Sequence, residues 1–362
     1  MDTLCKKLLW IAMAVALGHG VTAQERVSKK LERSYTMTDS GELHLENKYG
    51  NINLFGWDKN EVSIVIDIEV NHRKRENAEE LLKRIKPIIR DNDDYVSITY
   101  EIAEKEGGFF ANLFEKANPF DFDRSNIQVD YTVYMPVKAE LELTNTFGDV
   151  IIEDWKGPLK GKVEHGDLWI NDDLNKADID MKYGKIRAKS IDYGKLTLKN
   201  GDLDMENSKN LRINSNGTEI SLNTITSLEF DSNKDEVTIK EVGTIYGNLK
   251  FTTLKLDRLL TSVDMTMRVA DFRVTKILDP KTDIAIAQES SEISFNITGF
   301  QHRFEATIEE GLVRLPKSFD NVDSKMLDKG RKLREIKASY GNNPQGKITI
   351  TGQKGIVLLK EL

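Results

Sequence analysis

The chain has 362 residues with 52 Lys and Arg against 59 Asp and Glu, a formal net charge of −7, and only 39% apolar against 31% charged residues. That acidity argues against nucleic acid, because a phosphate-tracking surface needs clustered Lys and Arg without interleaved acids. The richest basic stretch, Lys325 to Lys337, also holds Asp328 and Glu335 and reads as a solvated face.

Residues 1–23 read as a secretory signal peptide. Lys6 and Lys7 form a basic start, Leu8 to Leu17 an apolar run, and Val21-Thr22-Ala23 a small-residue end. The run is too short to cross a bilayer, and nothing later approaches the ~20 apolar residues of a spanning helix, so no transmembrane span is expected. Loss of residues 1–23 removes two basic residues and one acid and leaves a net charge of −8. The only cysteine, Cys5, lies in that leader, so the exported chain is expected to be held by packing and backbone pairing without disulfides.

The first segment, 24–57, carries a phrase: Leu43-x-Leu45-x-Asn47-x-Tyr49-Gly50-x-Ile52-x-Leu54-x-x-Trp57. It returns as Leu141-x-Leu143-x-Asn145-x-Phe147-Gly148-x-Val150-x-Ile152-x-x-Trp155, at one offset of 98 residues. Between the two copies, residues 58–126 break the pattern. Val62, Ile64, Ile66, Ile68 and Val70 alternate as a strand. Ala78, Leu81, Leu82 and Ile85 then form one face of a helix stopped by Pro87. Ile88 and Ile89, the turn Asp91 to Asp94, and Val96, Ile98, Tyr100 and Ile102 follow as a hairpin. This is a small inserted α+β unit. It ends in a Phe-rich stretch, 107–122, in which Phe109, Phe110, Leu113, Phe114 and Ala117 make one helical stripe. Two readings stand: a short helix capping the end of a repeat fold, and an exposed contact for a partner or membrane.

Residues 127–362 settle into rungs. A turn of glycine followed by a polar residue recurs at Gly148-Asp149, Gly166-Asp167, Gly184-Lys185 and Gly201-Asp202, and degenerately at Thr218-Glu219 and Asp235-Glu236. The apolar pairs after it keep step at about 17 residues, from Leu168/Ile170 through Ile293/Phe295. Period-2 alternation turns apolar residues inward, and glycine lets the backbone turn where φ is positive or a side chain would clash. The pattern predicts a mainly β protein, a right-handed β-helix or β-solenoid of about 17-residue rungs with the α+β insertion near its start. Residues 300–337 read as irregular, followed by closing rungs at Tyr340-Gly341, Gly346 to Ile350 and Gly355 to Leu358. A leucine-rich repeat is set aside because the upstream Leu-x-x-Leu and a helical return segment are missing.

The leader, the strand–helix–hairpin insertion, the lead-in Val129-x-Tyr131-x-Val133-x-Met135-Pro136 and the Asn-x-Phe-Gly-Asp-Val phrase together resemble the secreted bacterial putative-adhesin β-strand-repeat family. The resemblance covers most of residues 35–300. It implies a right-handed β-helix or β-roll, a Gram-negative envelope or surface location, and an adhesin-like role. No catalytic residues come with it.

Chemistry-bearing motifs are sparse. His44, His72, His165 and His302 lack a second ligand at metal spacing, and nucleophile elbows, phosphate loops and dinucleotide fingerprints are missing. No catalytic residue, cofactor or metal is therefore assigned. Asp91-Asn92-Asp93-Asp94 lacks the glycine and distal glutamate of a calcium loop and reads as a turn. If the rungs stack in register, Asp149 and Asp167 become neighbours, with Lys185 and then Asp202 beyond. Such a column could meet a ligand, though two carboxylates fall short of the six or more oxygens calcium takes. Candidate contacts are Asp149, Asp167, Asp202, Phe109, Phe110 and Phe114. Trp57, Trp155 and Trp169 are further aromatics, the first two favoured for packing.

The expected function is a non-catalytic exported binding or structural protein, adhesin-like, in the periplasm or at the cell surface. Its partner would be a protein or glycan of the envelope or of a host surface. The alternatives are a polysaccharide-processing β-helix enzyme, which would need several carboxylates converging in a cleft, and an envelope-sensing partner protein.

Overall fold

The computed structural model describes residues 25–103 and 126–361. The leader 1–23 and the Phe-rich segment with Phe109, Phe110 and Phe114 lie outside them. The described residues are mainly β, with 25 strands and one α-helix. The chain divides into two compact units.

Of the described residues, the smaller unit takes 25–31, Ile66–Ile88, 100–103 and 126–129. Its buried apolar side chains include Ile66, Ile68 and Val70 of the strand Glu61–His72, Ala78 of the helix Arg75–Arg84, and Ile85. Glu76 in the first turn and Lys83 and Arg84 in the last suit the helix dipole, and Arg75 pairs with Glu79 one turn on at 2.9 Å. The helix stops at Arg84, and strands Ile85–Asn92 and Tyr95–Ile102 follow it.

The larger unit holds Glu32–Val65, Ile89–Thr99 and residues 130–361. In it the two copies of the phrase lie side by side. Leu43 is in parallel register with Leu141, and Ile52 with Val150. Their other neighbours are the strand residues Tyr95 to Ile98, paired with Glu42 to Leu45, and Tyr131 to Pro136, paired with Ile52 to Trp57. The offset of 98 residues is thus one step between adjacent strands, and parts of the intervening chain pair with the first copy on its other side.

From there each segment pairs in parallel with the next. Before the turn the register runs Leu141, Leu159, Ala177, Gly194, Leu211, Leu228, Ile245, Val263, Ile284. After the turn it runs Val150, Leu168, Ile186, Leu203, Ile220, Val237, Leu254, Phe272, Ile293. Most steps are 17 or 18 residues. The change between the two falls at irregularities between Ile170 and Asp173 and between Val242 and Thr244, where a bulge absorbs the extra residue. Strands of 15 residues such as Asp202–Asn216 alternate buried and exposed positions along their turn-flanking segments, so one apolar interior runs continuously beneath charged outer faces.

The stretch 300–337 departs from the expectation of irregularity. It forms strands His302–Glu309, Leu312–Arg314 and Phe319–Asp328 and the start of Leu333–Tyr340. Phe319–Asp328 hid in the sequence because only Phe319 is buried and no inward alternation exists; its aspartates and bulges are features of a protected edge. Nor do Gly346–Gln353 and Ile356–Lys360 stack last. They insert between Asp283–Asn296 and His302–Arg314, with Ile348 between Ile284 and Phe304. The antiparallel strands Leu333–Tyr340 and Phe319–Asp328 then extend from His302–Glu309.

Candidate functional site

The turn column shows what the repeated glycines do. The left-handed position belongs to the residue that opens each turn: His165, Tyr183 and Asn200, each before a glycine, and Lys234, Phe251 and Val269, before Asp235, Thr252 and Ala270, have φ between 50° and 59°. Gly166, Gly184 and Gly201 instead permit close approach. A Cβ on each would fall 1.9–2.1 Å from the carbonyl oxygen of the glycine one rung earlier. In the doubled phrase the glycine itself takes positive φ, at Gly50 and Gly148. There Asn47 and Asn145 brace the turn, each donating its side-chain N–H to the glycine carbonyl, at 3.0 and 2.8 Å.

The residues that precede the turn glycines of the first rungs are aromatic and stack along the corner. Tyr49 lies 5.7 Å from Phe147, Phe147 5.1 Å from His165, and His165 4.8 Å from Tyr183, all with interplanar angles of 15° or less. The rings cover one another's faces and show their edges to solvent.

Asp149 and Asp167 do become neighbours, but each already serves the fold. Asn51 N donates to Asp130 Oδ1, Asp149 N to Asn51 Oδ1, Asp167 N to Asp149 Oδ1, and Lys185 N to Asp167 Oδ1, at 2.7–2.9 Å. Each acidic or amide side chain thus caps the next rung's turn. The run ends at Lys185, which has no acceptor to offer, and Asp202 N bonds Gly184 O instead. Asp167→Asn keeps the acceptor and is expected to hold stability within about 0.5 kcal/mol, whereas Asp167→Ala loses about 1 kcal/mol in denaturant unfolding. Equal losses would show that charge, not hydrogen bonding, is what the column uses. Among the described residues no group of three or more His, Cys, Asp or Glu is arranged to hold a metal ion.

Further along the same corner, serine, threonine and aspartate replace glycine and turn inward. The buried Asp235 carboxylate accepts from Ser215 Oγ (2.5 Å), Ser232 Oγ (2.6 Å), Thr218 N (2.8 Å) and Asn233 N (3.2 Å). Sequence reading took Asp235-Glu236 as a degenerate glycine turn; the side chain is a buried structural hub.

The tryptophans separate. Trp155 is fully buried. Trp57 is half-buried, donates Nε1–H to Glu61 O at 2.6 Å and stacks on Tyr134 at 5.4 Å, with Lys59 Nζ 4.3 Å from its ring. Trp169 lies half-buried under the Arg187 guanidinium at 4.8 Å.

A shallow groove of about 320 Å³ crosses five successive rungs of the outer surface. Two outward columns build it. One runs Lys176, Tyr193, Asn210, Ser227; the other Asp178, Lys195, Arg212, Glu229, Tyr246. Tyr193 and Tyr246 stand three rungs apart along it, 50% and 39% exposed. The low floor between them comes from Gly194, Asn210 and Ser227. Sequence reading missed the groove because its tyrosines lie three rungs apart on different columns.

The residues therefore define a mainly β protein of stacked parallel strands with a polar and aromatic outer groove. No family model matches the chain, and no curated protein does. Solved structures do resemble it. A putative adhesin from Parabacteroides merdae is 11% identical with a TM-score of 0.39, covering 72% of this chain and 92% of that one. A putative cell adhesion protein from Clostridium sporogenes is 10% identical with a TM-score of 0.20, covering 92% and 100%. A putative lipid binding protein from Parabacteroides distasonis is 12% identical with a TM-score of 0.28, covering 92% and 97%. The chain's neighbours thus include structures described as adhesins, at low identity. These likenesses are too slight to carry weight, and the functional reading rests on the chain's own residues. Among the described residues no helix is long and apolar enough to cross a membrane.

Proposed function

We propose that the chain is an exported, non-catalytic right-handed β-solenoid that holds a component of the cell envelope, or of a host or matrix surface, in an adhesin-like way. The parallel stacking in steps of 17 and 18 residues supports the solenoid, since a coil returns each strand in the same direction beside its predecessor. The leader 1–23 supports export, to the periplasm or the cell surface.

The observation that carries binding is the groove with Tyr193 and Tyr246 along it. Exposed tyrosines beside short polar side chains are costly to solubility and productive in recognition, because the ring offers contact area at little entropic cost. Asp149 and Asp167 are assigned to turn capping, and Asp202 remains an exposed position beyond them. Phe109, Phe110 and Phe114 are proposed as either a cap or a partner contact, which a deletion separates.

A binding screen against envelope extracts and a glycan panel tests the reading. The exported protein is expected to be retained by at least one fraction, and Tyr193→Ala to lower retention with an unchanged melting temperature. No retention by any fraction from a folded protein would overturn it. Deleting residues 107–122 in parallel should leave retention intact and lower the melting temperature; the reverse pattern would make those phenylalanines a contact.

A further inference from the structure

We infer that the groove between Tyr193 and Tyr246 takes an anionic polysaccharide, a glycan chain bearing carboxylates or sulfates, laid along the direction in which the rungs stack. This rests on the binding reading above and names its ligand class.

The charge order along one column carries the inference. Asp178, Lys195, Arg212 and Glu229 follow one another on adjacent strands, so two cations are direct cross-strand neighbours. Like charges placed opposite each other are unfavourable in a sheet. Each cation turns to the acid on its outer side: Lys195 Nζ lies 3.0 Å from Asp178 Oδ2 and Arg212 Nη2 2.5 Å from Glu229 Oε1. The acids thus sit at the flanks, and the centre of the groove is doubly cationic. Lys176 on the neighbouring column adds a third positive charge against the two carboxylates of the lining. This is a locally positive groove on a chain of net charge −7. An anionic group placed between Lys195 and Arg212 would relieve their repulsion and meet the guanidinium fork, which matches planar carboxylate and sulfate oxygens.

The rest of the lining suits a sugar chain. Three strand steps of about 4.8 Å separate the rungs of the two tyrosines, so they are spaced by roughly 14 Å along the stacking axis. An extended chain of a few sugars spans that distance, with a pyranose face on each ring. Asn210 and Ser227 between them supply donors and acceptors for hydroxyls at floor level.

The test uses the purified exported protein and three polymers: polygalacturonate, heparin and neutral dextran, with single-stranded oligothymidine as a fourth. Calorimetry or affinity electrophoresis is expected to show binding to polygalacturonate or heparin, none to dextran, and loss as salt rises from ~50 mM to ~500 mM. Arg212→Gln should weaken binding about tenfold, and Tyr193→Ala or Tyr246→Ala several-fold. Tyr183→Ala, on the corner stack, should leave it unchanged. Melting curves of each variant identify any that fail to fold, and the two tyrosine variants, on separate strands, then stand in for Arg212→Gln. Equal binding to dextran, preference for oligothymidine, no binding to either anionic glycan, or indifference of folded groove variants would overturn the inference. If the anionic glycans fail while an envelope fraction still retains the protein, the ligand class falls and the binding function stands. If nothing retains it, both fall.

Discussion

Replacing Gly184 by alanine is expected to lower the free energy of unfolding by about 3 kcal/mol or more, while the same change at Gly161 leaves it within about 0.5 kcal/mol. Both glycines lie among the parallel strands of the larger unit, and both substitutions add one methyl group. They differ in what the methyl meets. At Gly184 the new carbon would fall 2.0 Å from the carbonyl oxygen of Gly166, whose own Cβ position faces Gly148 O at 1.9 Å. These are backbone atoms, so no flexible side chain can move aside. At Gly161 the nearest atoms are side-chain carbons at 3.8 Å or more, an ordinary contact. Denaturant midpoints of the two variants check the contrast. Equal losses would mean that glycine is used at the turns for flexibility alone.

The second large effect is on pH. His302 is fully buried, stacked on Phe300 at 4.9 Å and met by Phe319 at 5.5 Å and Tyr340 at 5.6 Å. Its Nδ1 donates to Phe300 O at 2.7 Å, which leaves Nε2 without a partner among aromatic rings. Burial pushes the imidazole below its ordinary range, the Phe300 carbonyl opposing this in part. A folded-state value below the unfolded one means that the unfolded chain binds more protons, so stability rises with pH. The contribution is complete above about pH 6.5 and is lost as pH falls below that toward the folded-state value. One proton limits the slope to about 1.4 kcal/mol per pH unit.

The consequence is local before it is global, because His302 begins the strand that pairs with Tyr340 on one side and Gly346 on the other. Mild acid should therefore loosen the antiparallel strands 319–340 first, visible as faster amide exchange there than in the strands between 168 and 250. His302→Phe keeps a ring and removes the titration. Its stability should fall less between pH 7.5 and 5 than that of the natural chain; an equal fall would place the acid sensitivity elsewhere.

The doubled phrase at 43–57 and 141–155 was legible as a repeat, and its residues lie directly beside one another in parallel register. Inward leucines, isoleucines and valines were legible for the same reason: a strand's alternation is local, and each rung meets only its neighbours. The role of glycine was half legible. A Gly at each turn is visible in one dimension, but left-handed φ at His165 and Tyr183, and backbone-to-backbone approach at the glycine itself, depend on the rung before. The aromatic stack had a signal that went unread, since Tyr49, Phe147, His165 and Tyr183 each precede a turn glycine. Asp149 and Asp167 were rightly placed as neighbours, yet their hydrogen bonds to the next rung's N–H groups could be seen only with the backbone present.

Strand periodicity, rung length and the inward face follow from the order of residues alone, because a structure that repeats along one axis writes its contacts at a constant separation. Two things do not. The insertion of 346–360 between 283–296 and 302–314 breaks that separation, with steps of 64 and 44 residues, and depends on which partner leaves the fewest backbone groups unpaired at the end of the ladder. The groove is the other. Its tyrosines and cations occupy outward positions where packing imposes no period, so only folding brings Lys195 beside Arg212 and sets Tyr193 and Tyr246 on one surface.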